Sequence, residues 1–395
     1  MARFESRVLT TELELEALAP EWERLRRELA EPWIEQHPAW LAAEGRASAG
    51  LMVVVLREGG QVRAIAPFLL RRWNWPCRIG YTTVAAFPML VARLAGDALL
   101  GSCDPAVQEA LLDAVATAPI PYHTLHFEGL ALASPLRKLV DTSPLLQRGY
   151  WFYSPTEPSK RWRTRIPASF AAYEASLGKK RRYQFRTAGR KLDEAVGEPV
   201  LIERVTKPAE MGAFLKSVER ISALSWQGRR LGQVLEVEST GARKLKELAE
   251  RGWFRGYLLR AEGEAIAFVI GFQSDKRYVY EKIGYDPAWG EHSPGNVLLY
   301  RLIEDLCSFE PPEWLDFGFG ESQYKRVFGN DWYEEQNVYL IRRSLYTGMA
   351  RATQRVFRAT SDEARRVLDR LGLRERVRRI LRGAPEEPTT KRDPV

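Results

Sequence analysis

"KRYVYEKIGYDPAWGEHSPGNVLLYRLIEDLCSFEPPEWLDFGFG", Lys276 to Gly320, carries three structural signals in order. "KRYVYEKIGYD" alternates and is rich in aromatic and β-branched residues, which predicts a strand. "NVLLYRLIEDL" puts Leu298, Leu299, Leu302, Ile303 and Leu306 on one stripe, with Arg301, Glu304 and Asp305 off it. That spacing predicts an amphipathic helix. "EWLDFGFG" reads as the next strand. Strand, helix, strand is a crossover, so the two strands are predicted to be parallel neighbours.

Upstream, "WFRGYLLRAEGEAIAFVIGFQ" from Trp253 is an apolar run, a Glu-Gly turn and a second apolar run. It predicts a β-hairpin. "LMVVVLREGGQVRAIAPFLLRR" from Leu51 has the same form. Helical segments precede both hairpins, "LAPEWERLRRELA" and "PAEMGAFLKSVERISAL", and others follow them, "AVQEALLDAVATA" and "NVLLYRLIEDLCS". The order helix, hairpin, further strand, helix, strand occurs twice, which predicts a tandem repeat of one fold. "ESQYKRVFG" then reads as a short helix or turn, and "EEQNVYLIRR" as a final strand. The predicted class is α/β with a mixed, α+β-like sheet. The predicted divisions are residues 1–158, residues 159–345, and a basic amphipathic helical tail over 346–395.

The 395 residues suit two domains with ordinary cores, and the composition is that of a globular chain. Cys77, Cys103 and Cys307 are widely spaced with no C-x-x-C pair, which argues against a disulfide scaffold and a metal site and suits a reducing cytoplasm. Neither a signal peptide nor a membrane span is legible. The net charge of +8 is carried by the tail: Arg342 to Val395 holds 15 Lys/Arg against 7 Asp/Glu, and 15 − 7 = +8. The body is therefore near neutral, and the basic balance gives no general argument for nucleic-acid binding.

Two basic segments stand apart. "SLGKKRRYQFRTAGRKLDEA" between the copies reads as a helix with a solvated face or a patch for an anionic substrate. The tail reads as a helix starting at Ser361 with Asp362 and Glu363, and a stripe through Ala364, Val367, Leu368 and Leu371. It is either docked on the body or turned towards an anionic membrane surface or a partner, which makes the location cytoplasmic with an inner-membrane periphery as an option.

Familiar catalytic motifs are missing. "DFG" at Asp316 lacks its kinase companions, and there is no G-x-S-x-G elbow or H-E-x-x-H spacing. The second copy carries the candidates. Ser293 is a predicted N-cap, Pro294 suits the first helical position, and Gly295 clears space where backbone N–H groups are free. Such a start, between parallel strands, can receive a phosphate.

These residues resemble a known signature. "GYDPAWGEHSPGNVLLYRLIEDL" followed by "WLDFGFGESQYKRVFG" is similar to the acetyltransferase family related to cellulose-biosynthesis protein CelD, also called BioF2-like, of the GNAT superfamily. "FLKSVERISALSWQGRRLG" and "IAPFLLRR" resemble the corresponding regions. The tandem arrangement, with Tyr324-Lys325 and Phe328-Gly329, also resembles the FemABX aminoacyltransferases.

The resemblance implies two GNAT-like domains, the second active and the first a degenerate support. It implies acyl transfer from acetyl-CoA or another acyl-CoA to a small-molecule amine acceptor, linked to polysaccharide or cell-envelope synthesis. Ser293, Pro294, Gly295 and Asn296 correspond to the segment that receives the carrier's pyrophosphate, although they lack the superfamily's Arg/Gln-x-x-Gly-x-Gly/Ala spacing. Glu281 is either the base or a sheet-face carboxylate paired with a cation. Tyr324 is either the acid for the leaving thiolate or a packing aromatic. Lys325 either holds a phosphate or carboxylate or lies in solvent, and Asp316 either orients a neighbour or caps its strand. Trp226, Tyr285 and His292 are candidates for the acceptor pocket. The rival implications are a FemABX-like transferase using aminoacyl-tRNA, and a non-catalytic exopolysaccharide assembly factor.

Overall fold

A computed structural model describes residues 4–79, 82–224, 235–237 and 239–370. Trp226 lies outside the described residues. The strands are β1 Glu5–Leu9, β2 Gly50–Glu58, β3 Gln61–Ile79, β4 Thr82–Leu94, β5 Leu100–Gly101, β6 Thr124–Ala131, β7 Tyr150–Tyr153, β8 Ser159–Arg165, β9 Leu201–Val205, β10 Gly256–Ala261, β11 Glu264–Ser274, β12 Arg277–Tyr285, β13 Trp314–Asp316 and β14 Asp331–Arg342. They form one sheet in the order β1-β2-β3-β4-β6-β14-β8-β13-β12-β11-β10-β9, with β5 on β3 and β7 on β14.

The repeat is visible in that order. β1, β2, β3, β4 and β6 run inward from one edge, and β9, β10, β11, β12 and β13 run inward from the other. The hairpins β2–β3 and β10–β11 fall where the sequence predicts them. Two described strand pairs are parallel, β4 with β6 and β12 with β13. Each is joined by a crossover helix, Pro105–Ala116 or Pro294–Ser308. The predicted parallel neighbours are therefore present.

At the seam β14 lies between β6 of the first copy and β8, and β8 lies between β14 and β13 of the second. The last strand among the described residues thus completes the first copy's sheet as well as the second's. Hydrogen bonding runs through the middle of the molecule without an edge.

Both faces of the sheet are covered, so central strands read as nearly continuous apolar runs. On β2, Met52 and Val54 face the core under Pro105–Ala116, while Val53 and Val55 face the N-terminal helices. On β11, Ala267 and Val269 face Pro294–Ser308, while Phe268 and Ile270 face the helices Met211–Leu224 and Thr240–Glu250. Leu298, Leu302, Ile303 and Leu306 are fully buried, as their stripe predicts. Each such side chain is worth about 1.5–3 kcal/mol. The two copies meet through Trp40, on the helix Pro38–Arg46, which packs edge-on against Phe272 of β11 with ring centroids 5.1 Å apart. A cleft opens beside this contact.

The helix over Leu345–Arg370 is continuous. Ser361 lies within it and does not start it. The upstream segment "LYTGMARATQRV" supplies its own apolar face, with Ala350 buried beside Trp75, Met89, Val91 and Ile341.

Candidate active site

β11 and β12 pair in register except at one point. Ile270 is opposite Lys282 and Gly271 opposite Tyr280, so Glu281 is an extra residue in β12. A bulge of this kind kinks a strand and re-aims a side chain. Gly271 is required here: a Cβ on it would lie 2.0 Å from the Tyr278 hydroxyl, which crosses above to donate to the Arg255 carbonyl.

Glu281 opens into a cavity of about 600 Å³ between the two copies. The second copy contributes Tyr280, Lys282, Phe317, Tyr324 and Lys325, and the first contributes Trp33, Glu35, Arg93 and Glu128. Glu281 is solvent-accessible through this cavity but enclosed by protein around it. Among the described residues it makes no hydrogen bond or close ion pair. Burial, and next the neighbouring Glu35 carboxylate, push its pKa above the usual carboxylate value. Burial lowers that of the adjacent Lys282. Three other cavity acids, Glu35, Glu44 and Glu128, differ. Glu35 and Glu128 lie 2.9 and 3.0 Å from Arg93. Glu44 is held by Lys244. Glu281 is thus not the paired sheet-face carboxylate of the alternative reading; Asp97, the remaining cavity acid, likewise has no close ion pair among the described residues, and burial raises its pKa against the pull of Arg277 and Arg161.

β12 and β13 pair only over Arg277–Val279 with Trp314–Asp316 and then part. The gap is aromatic. Tyr280 lies 5.9 Å from Phe317 and 5.9 Å from Tyr324, centroid to centroid. Tyr324 is half-buried, and burial raises its pKa, so it is a neutral phenol near neutral pH. The buried Tyr280 hydroxyl has no well-formed hydrogen bond. Such a group costs free energy unless a partner arrives.

Lys325 corrects the sequence reading. It is neither free to hold a substrate anion nor exposed. Its Nζ donates to the carbonyls of Gly318, Phe319 and Gly320 at 3.1, 2.8 and 3.0 Å, which uses all three protons. Burial, then Arg161, lowers its pKa to about 8. The clamped loop turns through Gly318 and Gly320 at φ +74° and +81°. Asp316 sits behind the cavity. It accepts from Arg161 at 2.8 Å, Arg277 at 2.9 Å and the Gly318 N–H at 2.9 Å. Burial alone would raise its pKa, but the two arginines hold it below the usual value. It caps its strand and anchors the loop.

The crossover helix starts differently from the prediction. A 3₁₀ turn, Pro287–His292, runs into it, and Ser293 takes the left-handed conformation at φ +52° with no side-chain cap. Pro294 does occupy the first turn. The Ser293 carbonyl accepts from Asn296 and Val297 N–H at 3.0 and 3.2 Å. A Cβ on Gly295 would meet Ile283 and Tyr285 at 3.4 and 3.6 Å. Ser293 to Asn296, Tyr285 and His292 do not line the cavity. Tyr285 is exposed, and His292 packs loosely on Trp289. The first copy's cavity residues are not legible in the sequence, since nothing near Glu35, Arg93 or Glu128 signals that they face Glu281.

Residues 179–326 match the model of the acetyltransferase (GNAT) domain family. No curated protein sequence matches the chain. Among solved structures the fold is similar to FemX, with TM-score 0.60 and 11% identity over 89% of this chain and 100% of that one. It is also similar to the C-terminal domain assigned to a lysylphosphatidylglycerol synthetase from Agrobacterium fabrum, with TM-score 0.52 and 11% identity over 88% and 97% of the chains. A conserved protein of unknown function from Bacteroides thetaiotaomicron gives TM-score 0.52 and 11% identity over 85% and 100%. These likenesses show that the overall fold is shared with those chains.

Proposed function

We propose that the protein is an N-acyltransferase whose reaction takes place at Glu281, in the cavity between the copies. The observation that carries this reading is the bulged, unpaired Glu281 carboxylate with its raised pKa, beside the point where the parallel strands β12 and β13 part. The donor is an acyl thioester, acetyl-CoA or another acyl-CoA. Its phosphates lie near the uncapped helix start at Ser293–Asn296, and its arm lies along the parted strands. An amide of that arm is a natural partner for the Tyr280 hydroxyl.

In this mechanism the acceptor is an amine. Glu281 takes a proton from it as its nitrogen attacks the thioester carbonyl. A C–N bond forms, the tetrahedral oxyanion collapses, and the C–S bond breaks. Tyr324, neutral because its pKa is raised, gives the leaving thiolate its proton. Asp316 and Lys325 position the Gly318–Gly320 loop. The cavity's mixed charge suits a polar acceptor, such as the amine of an envelope sugar precursor.

Calorimetric titration with acetyl-CoA tests the donor, and no heat at millimolar concentration would sink it. Glu281→Gln should bind the donor as the parent does while thiol release collapses.

A second reading, an aminoacyl-tRNA donor, is favoured by one feature. Lys179, Lys180 and Arg181 are exposed at the start of the helix Lys179–Val196, which packs beside the crossover helix. Steep salt dependence of tRNA binding would support it, and indifference to tRNA would remove it.

A further inference from the structure

From Gln336 to Ser361 the chain contains Arg342, Arg343, Arg351, Arg355 and Arg358 and no acid. Arg343, Arg351 and Arg355 have no carboxylate within ion-pair distance among the described residues. Arg343 instead donates to the carbonyls of Tyr150 and Gln147. The guanidinium groups of Arg351 and Arg343 lie 4.9 and 5.8 Å from the Trp151 ring. Like charges gathered around one indole leave an unbalanced positive field.

The same helix presents apolar side chains outward. Leu345, Met349, Ala352 and Val356 recur at i, i+4, i+7 and i+11 and are exposed, Leu345 at 95%. With the opposite face buried at Ala350, Leu345, Met349 and Ala352 stay exposed to solvent. Leu345, Met349 and Ala352 border an open apolar groove with Trp151 and Tyr346. Nothing in the acyl-transfer reading uses these residues.

We infer that this face docks the protein on an anionic lipid bilayer. A bilayer surface offers what the patch lacks: anionic headgroups for the arginines, and an acyl boundary for the Leu-Met-Ala-Val stripe with Trp151 between them. The helix lies on the surface and does not cross it; among the described residues no helix is long and apolar enough to span a membrane. The composition beyond Arg370 adds positive charge. A site for a free anion would need no exposed apolar stripe, and a protein partner would need matching carboxylates as well as an apolar face.

The test is flotation of the full chain with phosphatidylcholine vesicles containing about 30 mol% phosphatidylglycerol, against vesicles without it. The protein should float with the anionic vesicles only, and rising salt should weaken it. Leu345→Asp/Met349→Asp should cut partitioning at least ~10-fold, because charge in the acyl boundary opposes burial. Arg351→Ala/Arg355→Ala should cut it about fivefold per arginine. None of the four side chains is buried, and unchanged melting curves would confirm that the variants fold. Equal flotation of Leu345→Asp/Met349→Asp and parent would overturn the inference, because the distal basic segment alone would then account for binding. Equal binding to uncharged vesicles, or full competition by inorganic phosphate, would also overturn it.

Discussion

The two copies use one topology and finish it differently. In the first, the crossover helix begins at Asp104, whose side chain accepts from the Ala106 N–H at 2.8 Å. That carboxylate fills the helix start. In the second, Ser293 is left-handed and caps nothing, so the start has no internal anion. The contrast continues at the third paired position of the parallel strands. The first copy has Arg93 opposite His126, with Arg93 neutralised by Glu35 and Glu128. The second has Val279 opposite Asp316, after which β12 runs on through the bulge to Tyr285. At this position one copy has closed its charge on itself, and the other leaves the bulged Glu281 carboxylate open. The copies diverged in how groups are satisfied more than in how strands are ordered. The closed copy still supplies one wall of the other's cavity, which is more than a passive support.

The sharpest way to break this comparison is to remove the open carboxylate. Glu281→Gln should lower turnover by about 10²–10⁴-fold, the range for a general base. Its stability should move the other way. A carboxyl whose folded pKa is raised contributes stability while protonated and loses it as pH rises through the unfolded and then the folded pKa. At neutral pH the substitution should therefore raise Tm slightly, while a purely structural role would lower it. In the parent, activity should fall as pH drops through an acid limb above the ordinary carboxylate range, and Glu281→Gln should lack that limb.

Next in size is the anchor behind the cavity. Asp316→Ala leaves Arg161 and Arg277 without their shared partner and should cost about 3–5 kcal/mol in chemical denaturation. A loss near zero would mean that the loop is not held from behind. Lys325→Met keeps the volume but frees three carbonyls, and should cost about 2–3 kcal/mol. Conversely, if Lys325→Met abolishes donor binding in a fully folded protein, the lysine meets substrate after all.

The smallest effect probes the helix starts directly. Asp104→Ala should cost about 1 kcal/mol, the usual value of a lost cap. Ser293→Ala should stay within about 0.5 kcal/mol, since no cap is lost. Equal costs would erase the distinction between the two starts.

Much of the fold is legible in local pattern. Period-two and period-3.6 spacings mark strands and helices because neighbours along the chain set which face is buried. That reasoning finds both hairpins, both crossover helices and the parallel pairing of β12 with β13. The family resemblance, not the spacing, singles out Glu281 and Tyr324, which share the cavity. Local pattern fails where side chains meet partners distant in sequence or depend on how a loop turns. Lys325 reads as a ligand-holder because its carbonyl acceptors become available only when the Gly318–Gly320 loop turns back over it. Ser293 reads as a cap because a Ser-Pro-Gly string does not disclose that the preceding turn forces positive φ. Ser361 reads as a helix start because its acids follow it, although the helix has been running since Leu345.

The sequence by itself determined the order of elements and the duplication, both properties of local pattern, and its resemblance to a family pointed to the carboxylate of β12. Tertiary structure alone decided that β14 completes the other copy's sheet, that Arg93 claims Glu35 and Glu128, and that Glu281 is left without a cation. The reason is that ionisable groups are governed by distance and desolvation. Both are fixed by packing between residues that the chain keeps far apart.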